Sequence, residues 1–182
     1  MNTVIFTSIL LLCVGNISAD FDAEFDHQST TSSPPAKIFL SSHTVNLLNR
    51  QINAEQSAAY SYQFLSSHFK NQGRHKLADQ FKEWAEEEYQ HANELADYML
   101  LRRGNLVYHR INEPRFSESQ LTVDGALQFV LSKEQEVYDS ILNIHRMCND
   151  PSMEDFLVKF LDEGIESVRK AFDLLQEYNR IR

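Results

Sequence analysis

Glu55, Glu88 and Glu134 each sit in the middle of a long run whose apolar residues recur at helical spacing, and His91 follows Glu88 by three positions. Residues three or four apart share one helix face, so Glu88 and His91 offer a carboxylate and an imidazole side by side. At 100° per residue, Glu55 lies at the centre of a stripe made by Leu48, Ile52, Ala58, Ala59, Tyr62 and Phe69. Glu88 holds the same place among Leu77, Phe81, Trp84, Ala92, Leu95 and Met99, and Glu134 among Val123, Leu127, Val130, Val137, Tyr138 and Ile141. A fourth stripe, Met153, Leu157, Phe160, Val168, Ala171 and Leu175, has Gly164 in its central slot with Ser167 beside it. An unpaired carboxylate in an apolar interior costs on the order of several kcal/mol, so it is neutralised or paired. The basic groups on these stripes are His91 and His145, too few for three acids, and a bound cation resolves the deficit. An oxygen-rich set with one imidazole suits iron, manganese or zinc better than a thiolate site would. A single glutamate on an apolar face is ordinarily a boundary residue that snorkels; three at three stripe centres, one in Glu-x-x-His, do not read that way. His145 reads as a hydrogen-bonded core histidine rather than a ligand.

The elements that must position these groups are four helices, over about Thr44–Lys70, His75–Arg102, Leu121–Cys148 and Pro151–Arg180. Breakers mark the interruptions: Asn71-Gln72-Gly73, Arg103-Gly104-Asn105 and Asn149-Asp150-Pro151, where proline opens the last helix. The first and third connections are a few residues long and make antiparallel neighbours. The second, from Arg103 to Gln120, is too long for a helical hairpin. Helices of this length run roughly 40 Å, and the connection extended reaches about 60 Å, enough to travel the whole bundle. Its Leu106–Ile111 stretch reads as extended. The expected fold is therefore all-α, a four-helix bundle running up, down, down, up with one long crossover.

Composition agrees. The chain of 182 residues is 42% hydrophobic and 24% charged, with only 5 glycines and 4 prolines, against an average usage near 12% for the two together. Too few turn formers remain for an all-β sandwich. A net charge of −9 with no lysine/arginine run argues against a nucleic-acid surface. Residues 1–19 carry no charged side chain, and their apolar core, Val4–Val14, is shorter than the roughly 20 residues that span a bilayer. They read as a cleavable secretory signal ending at Ala19, so the expected location is secreted, with no membrane anchor. Residues 20–38 read as an acidic, Ser/Thr/Pro-rich disordered tail, and residues 39–182 as the bundle domain. Of the 2 cysteines, Cys13 leaves with the signal, and Cys148 reads as a small buried side chain.

With these residues in place, the chain resembles the ferritin family over about residues 39–182. The first-helix motif is Leu48-Asn49-Arg50-Gln51-Ile52-Asn53-x-Glu55, continued by Ala58-x-Tyr60-x-Tyr62. Glu87-Glu88-x-x-His91-Ala92, Arg103-Gly104 with its extended segment, and Leu161-x-Glu163-x-Ile165-Glu166-Ser167-Val168 resemble the second-helix, crossover and last-helix motifs. The resemblance implies a ferritin-like four-helix bundle with a di-iron centre that oxidises ferrous to ferric iron with dioxygen, for storage or sequestration. It places one iron on Glu55, Glu88 and His91 and a second between the bridging Glu88 and Glu134. Tyr62 would be the tyrosine hydrogen-bonded beside the centre and Glu87 a mobile carboxylate that passes iron along. It also implies an oligomer, either of this chain alone or mixed with other ferritin chains.

The chain departs from the family pattern at three points. The family's fourth-helix glutamine is Gly164 here, which is expected to leave the second iron short of a side chain, with Glu163 at the stripe's edge the nearest substitute. Glu154-Asp155-x-x-Val158 only partly resembles the acidic lining of the family's three-fold channel, and the sequence stops at Arg182 without the short fifth helix. On the helix face opposite the core stripe, Asp79, Glu83 and Glu86 read either as a solvated surface or as the mineral-facing interior of a cage. Two rival readings keep the bundle. One is a catalytically weak iron-binding or co-assembling subunit; the other is a metal-free secreted signalling protein, whose helices would run up-up-down-down with two crossovers.

Overall fold

The computed structural model describes residues 38–181, so the signal read over residues 1–19 and the tail to residue 37 lie outside the described residues. Four helices form, α1 (Ser42–Asn71), α2 (His75–Leu101), α3 (Val123–Met147) and α4 (Pro151–Ile181). Their starts are chemically marked. The Ser41 hydroxyl accepts from the Thr44 N–H at 3.0 Å, and the Thr122 hydroxyl accepts from the Gly125 N–H at 3.1 Å. The Asp150 carboxylate accepts from the N–H groups of Ser152 and Met153, each at 3.1 Å. Each contact satisfies donors that a helix start leaves free. The α1–α2 turn passes through Gly73 at a φ of +73°, a conformation that favours glycine.

Contacts between the ends establish the topology. Leu40 donates its N–H to the Arg102 carbonyl at 3.3 Å, which puts the start of α1 beside the end of α2. The Arg102 guanidinium, itself buried, pairs with Asp150 between α3 and α4 and donates to the Tyr98 hydroxyl at 2.6 Å. At the other end, His68 near the close of α1 meets the carbonyl of Leu121, just before α3. The bundle therefore runs up, down, down, up, unlike the signalling bundle of the second rival.

The crossover is fixed by α1. Asn49 donates to the Asn105 carbonyl at 2.9 Å and accepts from the Val107 N–H at 2.8 Å, and Asn53 reaches the His109 carbonyl at 3.4 Å. Gly104 is required there: a Cβ at that position would lie 2.4 Å from Met99 Cγ.

The core divides into two clusters. One is rich in aromatics, with Tyr62, Phe69, Phe81 and Trp84 packed on Leu127 and Val130; the other, around Leu48, Ile52, Leu95, Met99 and Ile141, is mostly aliphatic. Glu55, Glu88 and Glu134 are buried but belong to neither apolar cluster. Val137, Tyr138 and Val168, placed on the stripes by spacing, are only half-buried. Cys148 is buried with a free thiol, its Sγ 3.4 Å from the His145 carbonyl, and the half-buried His145 takes no part in the carboxylate cluster. Among the described residues, no helix is long and apolar enough to cross a membrane.

Candidate metal centre

One group from α1 and two from α2 meet inside the bundle. Glu55, Glu88 and His91 each contribute a ligand-type atom, and these atoms lie within 4.8 Å of one another. Glu55 and Glu88 are 1% and 2% exposed, so their charges have no access to bulk water. Within one turn of α2, His91 Nδ1 lies 3.4 Å from Glu88 Oε2. On α1, Gln51 one turn before Glu55 donates from Nε2 to Glu55 Oε1 at 2.7 Å, which leaves Glu55 Oε2 buried without a partner.

Glu134, 3% exposed, adjoins Glu88 from α3. It accepts a 2.6 Å hydrogen bond from the Tyr62 hydroxyl on α1. Burial pushes Glu55 well above the usual carboxylate range. Burial also lifts Glu88 to about 8, where the charges of Glu134 and Glu87 add to it, and Glu134 to about 7, where those of Glu55 and Glu87 add. The Tyr62 hydroxyl is raised by its burial and then by the Glu134 charge. Acids that resist ionisation in one small volume repel one another less once a cation sits among them. The arrangement can bind a multivalent cation and release protons as it does so.

The remaining expected residues fall outside this group. Glu87 is exposed, with Oε1 3.7 Å from Lys170 Nζ on α4. Between α2 and α4 a recess of about 350 Å³ reaches His91, lined by Glu87, Gln90, Lys159, Glu163, Glu166 and Lys170 among others. Asp79, Glu83 and Glu86 are exposed on α2.

The slot at Gly164 differs from the expectation. Sequence spacing leaves a gap there; in the structure Tyr138 of α3, one turn after Glu134, packs over the glycine. A Cβ at position 164 would stand 3.1 Å from Tyr138 Cδ2. Glu163 does not fill the gap from the Glu134 side either, because its carboxylate faces His91, with Oε2 3.4 Å from Nε2. Sequence reasoning gave Gln51 no partner and set Glu163 beside the second iron rather than beside His91. The i, i+4 spacing of Gln51 and Glu55 was a usable signal, whereas the Glu163 contact depends on how α4 is rotated against α2.

A family model described as a ferritin-like domain matches residues 45–181. The soma ferritin of Lymnaea stagnalis is 35% identical over 143 residues, covering 74% of this chain and 80% of that protein. The ferritin-2 heavy chain of Schistosoma mansoni is 32% identical over 156 residues, covering 82% and 90%. Among solved structures, an open-pore ferritin from the hyperthermophilic archaeon Archaeoglobus fulgidus superposes with a TM-score of 0.74 at 27% identity, over 78% of this chain and 87% of that one.

Proposed function

This chain belongs to the ferritin family, and from that premise we propose that it binds ferrous iron in the bundle core, oxidises it with dioxygen and holds the ferric product as a store. The observation that carries the reading is the meeting of Glu55, Glu88 and His91 inside the core, ligand atoms within 4.8 Å, with no lysine or arginine among the three. Iron is the substrate. One ferrous ion is held by Glu55, Glu88 and His91, and a second lies between Glu88 and Glu134, with Tyr62 fixing the Glu134 carboxylate. Each ferrous ion gives one electron to dioxygen, and two ions bridged by Glu88 deliver a pair. The carboxylates favour the more highly charged ferric product. Glu87 and the recess beside His91 form the route by which iron leaves.

Anaerobic ferrous titration followed by stopped-flow oxidation tests this. The expected result is two ions bound per chain and oxidation that is lost in Glu88→Ala. Uptake and oxidation equal in wild type and Glu88→Ala would overturn the assignment.

A second reading, a catalytically weak subunit that binds iron and co-assembles with other ferritin chains, is favoured by Tyr138 over Gly164, which crowds the side of the second ion. One ion bound tightly per chain with slow oxidation would decide for it. Assembly is part of the proposal under either reading. A groove of about 770 Å³ crosses α1, α2 and the crossover, lined by Ala59, Tyr60, Ala85, Tyr89, Tyr108 and Ile111 among others. Its three tyrosines are exposed, and the groove includes part of the Leu106–Ile111 stretch through which two copies would associate. Native mass spectrometry reads this directly: dimers or larger shells support it, and a strict monomer counts against it. The signal sequence read over residues 1–19 makes the chain a secreted one, which the mass of its amino terminus after expression in a secreting host would check.

A further inference from the structure

We infer that Glu163 is a positioning residue for the metal centre, acting through His91 rather than on the metal. The inference rests on the metal-centre reading above. Each ring nitrogen of His91 faces a carboxylate from a different direction: Nδ1 lies 3.4 Å from Glu88 Oε2, inside the cluster, and Nε2 lies 3.4 Å from Glu163 Oε2, outside it. That outer oxygen is buried and has no hydrogen-bond partner. An imidazole binds a metal through one nitrogen only when the other carries the proton. A carboxylate accepting that proton's hydrogen bond fixes both the tautomer and the plane of the ring. Here Nδ1 is the nitrogen turned toward Glu88. With a cation on the Nδ1 lone pair, Glu163 Oε2 is the buried, unpaired acceptor placed to take the hydrogen bond from Nε2.

Glu163 is itself held from behind. Lys159, one turn earlier on α4, stands 3.9 Å from Glu163 Oε1 and also pairs with Glu94 on α2. A chain of contacts thus runs Glu94, Lys159, Glu163, His91 across the α2–α4 seam. The ring also packs edge-on against Phe160, centroids 5.6 Å apart, which limits its rotation. The fourth helix, which has only a glycine at its central slot, then contributes to the centre at one remove, one residue earlier in the chain.

The test uses Co²⁺ alone, which binds such sites without oxidation by air, on the full chain with Glu163→Ala, Glu163→Gln, His91→Ala and the His91→Ala/Glu163→Ala double variant. Outer partners of metal-bound histidines typically change affinity by about 10–100-fold, and Glu163→Ala should weaken Co²⁺ binding within that range. Glu163→Gln keeps an acceptor and loses the charge, so it should recover most of the affinity. In the His91→Ala background, Glu163→Ala should add no further loss. Equal losses in Glu163→Ala and Glu163→Gln, or a full further loss in the His91→Ala background, would overturn the inference and make Glu163 a direct ligand or a bulk charge. No loss in either single Glu163 variant, with His91→Ala still crippling binding, would sink the inference while leaving the metal centre standing. Unchanged binding in His91→Ala would instead sink the metal-centre reading beneath it.

Discussion

The two halves of the carboxylate cluster were built from the same materials and came out differently. On the Glu55 side, two carboxylates and an imidazole converge, a glutamine steadies one acid, and a polar recess reaches the imidazole. On the Glu134 side, one carboxylate is tied to a buried tyrosine, and another tyrosine covers the place where the fourth helix could reach in. A ligand-like spacing on a helix guarantees that side chains point inward. Whether they meet depends on what the facing helix offers, and α4 offers a glycine toward Tyr138 and a glutamate toward His91.

The most severe way to break the contrast is to remove the residue both halves share. Glu88→Ala should abolish ferrous binding at both positions, a loss of at least about 100-fold, or roughly 2.7 kcal/mol, by anaerobic calorimetry. The fold should survive, because the group removed is a buried carboxyl that desolvation already penalises. Next comes pH. The metal-free fold holds protons on Glu88 and Glu134 that the unfolded chain releases at the ordinary value of 4.5, while Glu88 keeps its proton to about 8 and Glu134 to about 7. The folded state binds more protons across that window, so the melting temperature of metal-free protein should fall as pH rises from about 5 to 8. Glu88→Gln should flatten the upper part of that slope and Glu134→Gln the lower.

Filling the glycine sharpens the comparison from the other side. Gly164→Gln must displace the Tyr138 ring, and overpacking of this kind costs about 1–3 kcal/mol, against a gain near 1 kcal/mol for removing a glycine from a helix interior. The variant should melt lower than wild type, and adding Tyr138→Ala should restore stability and speed oxidation. A faster Gly164→Gln at unchanged melting temperature would show that Tyr138 yields freely. The smallest effect belongs to Glu87. Its ion pair with Lys170 is half-exposed and contributes at most about 1 kcal/mol, so Lys170→Ala should leave the melting temperature within about 4 °C of wild type and change only how fast iron leaves the centre.

The stripes around Glu55, Glu88 and Glu134 were legible because helical period is a local property, and the long second connection was enough to order the helices. The wheel placed all three acids inside the core as the structure does. Tyr138 and Val168 show the limit of the same method: equal spacing put them on a stripe, yet they are half-buried, since the bundle is narrower than a drawn face. What stands beside Gly164 lay out of reach of the sequence for a related reason. A missing side chain in one helix is visible in sequence, but the neighbour that leans into its place belongs to another helix. The Arg102–Asp150 pair was equally hidden, its members 48 positions apart.

The chain has 1 tryptophan, and the bundle has enclosed it completely beside the cluster. Trp84 is 0% exposed, its indole N–H lacks a partner, and its ring centroid is 6.3 Å from that of Tyr62, the residue bonded to Glu134. An indole in so dry a setting emits at short wavelength, and a tyrosine at that separation passes its excitation to it. Iron arriving one residue beyond would drain that light. The protein therefore carries an optical gauge beside the cluster, readable in unlabelled protein.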